Sequence, residues 1–498
     1  MSSKAVWFGT SLRWFAPQRV LVPTRRLSSL PVVIALALTG CGSAGEEPDA
    51  HATATTEAMS HDHGHPNGEE LFETAFHETN GRSCATCHVL EEHTVLRPDS
   101  VAERLARHPS DPLFNRIDAD DPLAPNPTYD HLAKGLVRVV LNLPDNMDLV
   151  DDTGQVVTGP ERTVSVWRAV PTVENTAITA PYQYDGRKAT LQEQAQGAII
   201  AHSQGGNVAR RDLDAIADFQ KDQFSSKRAS KVAKEFARGI PVEDIERPEL
   251  HMKLDAAEAR GLAVYNAACE ACHGGATTRQ ITNQAVHDLS FVELNADGNV
   301  VFDTSVQPPV AKQIPAPDDQ FLNIGFGLFT YLGQIYGDIF VPHFNDDVSM
   351  PRYRYRFYTD SSRTVKVVDL PPIPVTADGN PFGLTPVIDA NGAPIEGPNF
   401  LPQAFSTDPG RAAITGNPRD FEGFDVPPLR GIANTAPYFH DNSIATLKDA
   451  VDVYSRLVLP FLVPLNLPPV LPPEPGSVLP ESLSPQQKQD LLAFLAVL

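Results

Sequence analysis

The sequence predicts a mainly α-helical protein made of two tandem domains of the same design, with long loops and small β-hairpin insertions. Three observations support this fold class. A Cys-x-x-Cys-His motif occurs twice, a 22-residue segment also occurs twice, and apolar residues at helical spacing follow each copy of that segment. The chain has 498 residues, and a domain usually has about 150. Its 45 prolines favour long connections.

The first residues have the features of an export signal. Three arginines precede an apolar run, residues 30–38, which is too short to cross a bilayer as a helix. The run leads through Thr-Gly into Cys41, a pattern that resembles the bacterial lipobox. We therefore expect residues 1–41 to be a lipoprotein signal peptide in which Cys41 is lipidated; the alternative is a lone buried thiol.

Residues 42–68 are small, acidic and dotted with histidines, which predicts a flexible tether. A metal site among these histidines is the alternative. Together with the signal, the tether predicts a lipid-anchored protein on the periplasmic side of a bacterial cell envelope, at the outer membrane. The formal net charge of -22 argues against nucleic acid or an anionic membrane surface as a partner. Membrane contact would come only through the lipid anchor.

Four further cysteines form two closely spaced pairs. Disulfides or zinc are alternatives for such pairs in an exported protein. However, a histidine directly follows each pair, which is the attachment signature of haem c: both thiols bond to the haem and the imidazole becomes the proximal iron ligand. The expected attachment residues are Cys84, Cys87 and His88 for the first haem and Cys269, Cys272 and His273 for the second. The two domains are therefore expected to be cytochrome c-like.

The second repeat defines the domains. Val170–Leu191 aligns with Val426–Leu447 without gaps, at an offset of 256 residues and with identity at 11 of 22 positions. The haem motifs are only 185 residues apart, so the second half has gained 71 residues. We place the domains at residues 69–240 and 255–498, with a large insert at about 280–405.

Turn and cap signals complete the prediction. Hairpin turns are expected at residues 296–298 and 390–392 of the insert, and another at residues 152–154. Residues 459–480 are rich in proline and apolar side chains, which we interpret as a loop over a haem edge or, alternatively, a partner-docking surface. Ser484 and Pro485 are typical of the start of the last helix.

The repeat also indicates that the two haems differ. Tyr454 follows the second repeated segment, and its counterpart in the first half is Ala198. A tyrosine can supply a sixth ligand to the second haem, whereas the methyl group of Ala198 leaves the first haem open. An open iron is where a reaction can occur.

The chain resembles the bacterial di-haem cytochrome c peroxidase and MauG-type family over most of residues 68–498. The resemblance is carried by both haem motifs, Tyr184–Arg187 followed by Gln194, Asp408–Arg411, and Leu429–Arg430 leading into Ala436–His440. In the family's peroxidases a methionine closes the second haem at the position of Tyr454. Tyrosine there resembles the MauG branch, where a phenolate helps to stabilise highly oxidised iron. Met350 and His440 are rival sixth ligands.

Two further departures from the family matter. Tyr184 stands where the family usually has a tryptophan between the haems, and it can relay an electron with loss of a proton. Gln204 stands at the position of the family's catalytic carboxylate, so His202 is the natural acid–base substitute. Gln194 and Gln204 are expected to hydrogen-bond the distal oxygen or an ordered water.

The resemblance also leaves a calcium ion open as a further cofactor. The family binds calcium between its haems, and Thr435 and Pro437 can offer carbonyl oxygens to it. Ala169, however, stands where the family has asparagine, so one side-chain oxygen is missing.

These inferences predict a di-haem peroxidase that reduces hydrogen peroxide at the first haem. Electrons from a small soluble donor, such as a cytochrome c or a cupredoxin, would pass through the second haem and Tyr184. One alternative is a MauG-like oxidase or oxygenase acting on an organic or protein substrate. The other is a non-enzymatic di-haem electron carrier.

Overall fold

The computed structural model describes residues 66–151, 153–283, 301–303, 305, 310–312, 320–324, 345, 348–371, 405–459 and 481–498. All of them belong to one unit that comprises residues 63–498. Cys41, nearly all of the predicted tether, the turns predicted at residues 296–298 and 390–392, and residues 460–480 lie outside the described residues. The domain boundaries stay a prediction.

The described chain is mostly helical, as the sequence predicts. Its α-helices are α1 Gly68–Glu73, α2 Pro98–Arg107, α3 Asp130–Ala133, α4 Leu191–Ala201, α5 Arg210–Lys221, α6 Lys227–Ala237, α7 Ala256–Ala268, α8 Ala412–Thr415, α9 Leu447–Val453 and α10 Pro485–Leu495. A π-helical turn, Tyr454–Val458, directly follows α9. The predicted start of the last helix is confirmed, because the Ser484 side chain caps α10 and Pro485 is its first residue. Among these helices none is long and apolar enough to cross a membrane.

Two pairs of helices cross at close range, and a glycine makes each crossing possible. In the pair α1 and α5, a Cβ on Gly68 would lie 2.2 Å from the carbonyl oxygen of Ala215. In the pair α7 and α10, a Cβ on Gly261 would lie 1.9 Å from the carbonyl oxygen of Asp490. Only glycine allows the two backbones to approach this closely.

An aromatic pair extends each crossing one turn beyond the glycine. The rings of Phe72 and Phe219 have their centroids 5.1 Å apart. The rings of Tyr265 and Phe494 have theirs 5.3 Å apart. Such tilted ring pairs add to the energy of simple burial. The first and second halves therefore use the same local design to pack a helix near their start against a helix near their end.

Substitution of Gly261 by alanine should lower the free energy of unfolding by about 2 kcal/mol, because overpacking against a fixed backbone outweighs the better helix propensity of alanine. The matched control is Gly197→Ala in α4. A Cβ there meets only the flexible end of the Lys188 side chain, at 2.9 Å. The control should leave stability unchanged or raise it by up to about 1 kcal/mol. Urea denaturation of both variants checks this prediction, and equal losses would contradict the close crossing.

Small antiparallel sheets lie between the helical parts. Their strands are β1 Leu136–Asn142, β2 Met147–Val150, β3 Thr163–Ala169, β4 Phe302–Asp303, β5 Val310–Ala311, β6 Phe321–Leu322, β7 Arg354–Tyr358, β8 Lys366–Leu370 and β9 Phe424–Asp425. The pairs are β1 with β3, β4 with β5, and β6 with β9, while β7 lies between β2 and β8. Residue 152 of the turn predicted at residues 152–154 lies outside the described residues, and on either side of this turn the Asp151 amide donates to the carbonyl of Gln155 at 2.9 Å.

The sheets connect distant parts of the chain, which the sequence analysis did not predict. Strand β2 of the first half pairs with β7 of the insert, with Met147 opposite Phe357. Tyr355, Phe357 and Met147 are fully buried in the core that this sheet forms with β1 and β3. The insert is therefore anchored to the first half by backbone pairing and by a shared apolar core.

The two repeated segments have the same local structure. In the first, the Tyr182 hydroxyl donates to the Thr176 carbonyl at 3.1 Å; in the second, the Tyr438 hydroxyl donates to the Ile432 carbonyl at 3.0 Å. The next-to-last residue of each segment is a threonine, Thr190 or Thr446, whose side chain caps the following helix. The repeat therefore places α4 and α9 in equivalent settings.

Candidate haem sites

Each Cys-x-x-Cys-His motif folds into one tight turn. The His88 amide donates to the Cys84 carbonyl at 2.9 Å, and the His273 amide donates to the Cys269 carbonyl at 2.8 Å. The two thiols and the imidazole of each motif are therefore presented from a single turn of chain, as attachment to one flat group requires.

Both motif histidines are held with the same ring nitrogen free. Nδ1 of His88 lies 3.1 Å from the carbonyl oxygen of Thr94, and Nδ1 of His273 lies 3.1 Å from that of Pro427. A carbonyl only accepts hydrogen bonds, so Nδ1 carries the proton and Nε2 keeps its lone pair. This is the arrangement that orients a histidine to bind a metal through Nε2.

The motif cysteines are buried thiols. Burial raises the pKa of Cys84 to about 12 and that of Cys87 to about 11. It likewise raises the pKa of Cys269 to about 12 and that of Cys272 to about 11. None of the four is in a disulfide, and the described residues contain no group of three or more His, Cys, Asp or Glu placed to hold a metal ion. The thiols are thus free for the thioether bonds of haem c.

Apolar side chains surround both motifs, and the repeat supplies equivalent ones. Cys84 packs against a buried cluster that includes Ala195 of α4. Cys269 packs against a cluster that includes Val451 of α9. Ala195 and Val451 are counterparts at the offset of 256 residues. The surroundings therefore suit a large apolar cofactor, and α4 and α9 lie beside the two motifs in the same way.

The repeat places different residues at the next turn of these two helices. Tyr454 is partly buried, and its pKa is raised by burial and by the nearby Cys272 and Cys269. Its phenol therefore lies close to the thiols of the second motif. The counterpart Ala198, in α4, has only a methyl group. Ligation by Tyr454 stays a prediction.

His202 ends α4 close to the first motif. It is partly buried, and its carbonyl accepts a hydrogen bond from Asn80 Nδ2 at 2.9 Å. The pKa of His88 is lowered to about 4, mainly by burial, and the charge of a protonated His202 also lowers it. The carbonyl of His202 also lies 3.5 Å from Arg82 Nη1, two residues before Cys84, which places the end of α4 beside the first motif. Burial also lowers the pKa of His202, which favours its neutral form at pH 7.

A buried ion pair beside His202 was missed by the sequence analysis. Arg82 Nη1 lies 2.6 Å from Asp118 Oδ2, and the side chains are 1% and 0% exposed. Asp118 raises the pKa of His202, whereas Arg82 lowers it. Arg82 precedes Cys84 by only two residues, but nothing in the sequence identifies Asp118 as its partner.

The two glutamines occupy different environments. Gln194 is partly buried and lies on the same face of α4 as Ala198 and His202, at helical spacing. Gln204 is exposed, and its Oε1 accepts from Asn80 Nδ2 at 3.3 Å. Gln194 therefore lies on the same face of α4 as His202. Gln204 instead binds Asn80, in the loop before the first motif.

Tyr184 lies in an aromatic cluster that joins the two halves. Its ring meets that of His440 edge-on, with centroids 6.4 Å apart, and His440 stacks on Phe424 at 4.0 Å. Burial raises the pKa of Tyr184. Tyr184 also packs against a buried cluster that contains Met350 and Trp167. Met350, predicted as a rival ligand, thus fills a core here, and the other rival, His440, contacts Tyr184.

Trp167 is an aromatic residue that the sequence analysis missed. It is 4% exposed and stacks on His131, with ring centroids 4.2 Å apart and planes 6° apart. It belongs to the same buried cluster as Tyr184, the residue that replaces the tryptophan of the related family. Its position on β3 gives no sequence signal of this contact.

Arg168 brings together two motifs that the sequence analysis identified separately. Its Nε and Nη2 contact both carboxylate oxygens of Asp408 at 2.6 and 2.9 Å, and its Nη1 lies 2.5 Å from Asp185. Arg187 also contacts Asp185, at 2.6 Å. The pKa of Asp185 is lowered: burial opposes the shift, but the charges of Arg168 and Arg187 outweigh it. The network ties the motif Tyr184–Arg187 to the motif Asp408–Arg411.

The calcium site at Thr435 and Pro437 stays a prediction. The Thr435 hydroxyl donates to the carbonyl of Ile432 at 3.2 Å, and Ala169 provides no side-chain oxygen. One residue before Thr435, the Asn434 carbonyl accepts from the guanidinium of Arg97 at 2.8 Å. A cation is therefore already present beside Thr435 and Pro437, where calcium would need several free oxygens.

Comparison with known proteins finds related peroxidases over short segments. The chain is 50% identical over 50 residues to a cytochrome c551 peroxidase of Nitrosomonas europaea, covering 10% of this chain and 15% of that protein. It is 41% identical over 79 residues to a cytochrome c551 peroxidase of Pseudomonas aeruginosa, covering 16% and 20%. The chain thus matches at most a fifth of the length of these two relatives. The resemblance inferred from the motifs is confirmed within those segments.

No protein-family model matches the chain. Among solved structures, a MauG-like protein associated with microbial copper homeostasis aligns with 88% of this chain and 90% of that chain, at 17% identity and a TM-score of 0.35.

Proposed function

We propose that this chain, a relative of the bacterial di-haem cytochrome c peroxidases, reduces hydrogen peroxide at its first haem motif and receives electrons through its second. The proposal includes two tandem cytochrome c-like domains. The observation that carries it is the contrast between Ala198 and Tyr454, which occupy equivalent positions beside equivalent motifs. One offers no ligand atom and the other offers a phenol oxygen.

The residues of the motifs fit haem c. The thiols of each motif would hold one haem covalently. Nε2 of His88 would bind the iron of the first haem, and Nε2 of His273 would bind that of the second. Haem c, when bound, supplies the iron centres that transfer electrons to peroxide. Tyr454 would offer a phenol oxygen at the second site, and the methyl group of Ala198 would leave space for substrate at the first.

His202 is the proposed acid and base. A neutral imidazole accepts the proton of peroxide at a ring nitrogen and then returns it to the leaving oxygen, so that water departs. The lowered pKa keeps His202 in the neutral form that the first step needs. Gln194, on the same face of α4, can donate an amide hydrogen to the same oxygen. Gln204 supports this arrangement through Asn80 rather than by direct contact.

Tyr184 is the proposed electron relay between the two sites. It lies in the aromatic cluster that joins the halves, and its ring is 6.4 Å from that of His440. Because its pKa is raised, Tyr184 is a neutral phenol that must release a proton when it loses an electron. Its transfer of electrons should therefore depend on a nearby proton acceptor.

The electron donor is proposed to be a small soluble protein, such as a cytochrome c or a cupredoxin. The formal net charge of -22 favours a donor with a basic surface. The periplasmic side of the cell envelope, with an anchor at Cys41, is the proposed location. Calcium is left out of the proposal because Ala169 offers no side-chain oxygen and the Arg97 guanidinium binds the carbonyl of Asn434, next to Thr435.

A MauG-like oxidase is the second candidate. Tyr454 favours it because a tyrosine at that position resembles the MauG branch. The absence of the peroxidase carboxylate, where this chain has Gln204, also favours it. In this reading, hydrogen peroxide or oxygen would be used to oxidise an organic or protein substrate.

The stoichiometry of turnover tests the proposal. The purified holoprotein is given hydrogen peroxide and a reduced small cytochrome c, and both are followed by absorbance. A peroxidase oxidises two equivalents of the donor for each peroxide consumed, since two electrons and two protons convert peroxide into two waters. Consumption of peroxide without matching oxidation of the donor would favour the MauG-like oxidase. No consumption at all would leave an electron carrier and contradict both enzyme proposals.

A further inference from the structure

We propose that the π-helical turn Tyr454–Val458 positions the phenol of Tyr454 at the second haem site, and that Ser455 and Lys488 hold this turn in place. The inference rests on the proposed function, because it takes Tyr454 as a ligand. Three structural features set how closely that ligand approaches the second haem: a widened turn, a buried hydroxyl and an ion-pair network.

The two halves diverge in backbone geometry at the ligand position itself. In the first half, the carbonyl of Ala198 accepts mainly from the amide of His202, four residues on, at 2.8 Å, and only at 3.4 Å from that of Ser203, so α4 keeps its α-helical spacing there. In the second half, the carbonyl of Tyr454 accepts from the amide of Leu459, five residues on, also at 2.8 Å. The second turn therefore contains one extra residue. Such π-turns are rare and occur frequently at functional sites.

The helix before the turn directs Tyr454 towards the second motif. Val451, three residues earlier, packs in the cluster that holds Cys269. Residues three apart lie on the same face of a helix, so Tyr454 faces the same motif one turn further along. The effect of Cys272 and Cys269 on the pKa of Tyr454 agrees with this direction. The widened turn begins at Tyr454, at the end of the helix that directs this side chain.

Ser455 fastens the widened turn to the segment before α10. Its side chain is fully buried, and its Oγ accepts from the Leu483 amide at 3.0 Å. Its carbonyl accepts from the Ser482 amide at 2.8 Å. The counterpart of Ser455 in the first half is Ile199, which packs in an apolar cluster and has no hydroxyl. This attachment is thus specific to the half that carries the tyrosine.

An ion-pair network brackets the same turn. Lys488 Nζ, from α10, lies 2.6 Å from Asp452 and 2.5 Å from Glu481. Glu481 in turn contacts Arg456, within the turn, at 2.6 Å. Only 11% of the Lys488 side chain is exposed, so solvent screens these charges weakly.

Among the described residues, the equivalent helix of the first half is held by different contacts, for example from Gln192 to Asp214 of α5. The counterpart of Asp452 is Gln196, whose side chain instead binds the backbone of Gly206 and Val208. The counterpart of Arg456 is Ile200, which is 49% exposed. The widened turn, the buried serine and the network therefore occur together on the side that carries Tyr454.

The experiment compares four variants of the ferric holoprotein with the unaltered protein. Tyr454→Phe removes the ligand, while Ser455→Ala and Lys488→Met loosen the turn. Arg260→Met is the matched control, because Arg260 makes a bidentate ion pair with Asp490 of α10, remote in sequence from the turn. The readouts are the electron paramagnetic resonance (EPR) spectrum, the reduction potential of the second haem, and the thermal unfolding midpoint.

Tyr454→Phe should abolish the low-spin signal of the second haem and raise its reduction potential, because an anionic oxygen ligand stabilises ferric iron. Ser455→Ala and Lys488→Met should shift part of that signal to high spin and raise the potential in the same direction. Arg260→Met should lower the unfolding midpoint while leaving spectrum and potential unchanged.

Two results would overturn the inference, and they are distinguishable. If Tyr454→Phe changes the spectrum but Ser455→Ala and Lys488→Met only lower the unfolding midpoint, the turn is structural and the ligand assignment stands. If Tyr454→Phe leaves the spectrum unchanged, Tyr454 is not a ligand, and both the assignment and the positioning inference fail.

Discussion

Replacement of His202 by alanine should slow the reaction with hydrogen peroxide by about a hundredfold or more, the usual contribution of a positioned acid–base group. His202 is partly buried at the end of α4, and its charge affects the pKa of His88. Asn80 donates a hydrogen bond to the backbone carbonyl of His202. No carboxylate stands at the position that serves this purpose in the related peroxidases, since that residue is Gln204. Stopped-flow measurement of the second-order rate constant checks the prediction.

The pH dependence of the same rate constant separates a chemical role from a structural one. His202 acts first as a base, so its neutral form is needed, and burial lowers its pKa from the ordinary value of 6.5. The rate should therefore hold as the pH falls through 6.5 and decline only below it, while the alanine variant should lack this decline. His77→Ala, at a side chain that is 95% exposed, is the control and should behave like the unaltered protein. An unchanged rate in the His202 variant would remove His202 from the mechanism.

Replacement of Arg168 by methionine should lower the free energy of unfolding by about 3–5 kcal/mol, because removal of one partner leaves the buried carboxylates of Asp185 and Asp408 uncompensated. The side chain of Arg168 is 3% exposed, and those of its partners are 0% and 2% exposed. Urea denaturation of the holoprotein measures the loss. Arg210→Met, which removes an exposed pair with Asp214 on α5, should cost no more than about 0.5 kcal/mol.

The loss caused by the Arg168 variant should depend on pH with a definite sign. The pKa of Asp185 is lowered in the folded protein, so its ionised form contributes stability above the ordinary value of 3.8 and loses that contribution as the pH falls further. The difference between variant and unaltered protein should therefore be largest at neutral pH and shrink below pH 3.8. A loss independent of pH would show that packing, not charge, dominates at this site.

The haem motifs could be predicted because their chemistry is local. Two thiols and an imidazole within five residues need no knowledge of the fold, and the structure adds only the carbonyl groups of Thr94 and Pro427 that orient the histidines. The contrast between Ala198 and Tyr454 could also be predicted, because an ungapped repeat gives each residue of one half a definite counterpart in the other. Both predictions rest on residues that are close in sequence or related by a fixed offset.

Contacts between distant residues could not be predicted. Arg168 lies 240 residues before Asp408, and although Asp408 belongs to a recognisable motif, nothing in the sequence identifies Arg168 as its partner. Strands β2 and β7 are likewise far apart in the sequence, and no local pattern in either strand specifies the register of their pairing. The exposed position of Gln204 follows from its left-handed backbone, with a φ of 55°, which turns it away from the face of α4.

The widened turn at Tyr454 illustrates a different limit. The repeat aligns Val458 with His202, but the extra residue in the second half means that the carbonyl of Tyr454 is bonded instead by Leu459. A pairwise alignment of residues cannot reveal a change of one residue in the hydrogen-bond ladder. Because of this change, α9 ends differently from α4, the helix at whose end His202 is proposed to act.

The EPR spectrum of the ferric holoprotein, recorded before and after addition of hydrogen peroxide, tests most directly the claim that one haem reacts and the other relays. The account predicts one high-spin and one low-spin component, with the high-spin component lost on addition of peroxide. Two low-spin components that peroxide leaves unchanged would contradict it.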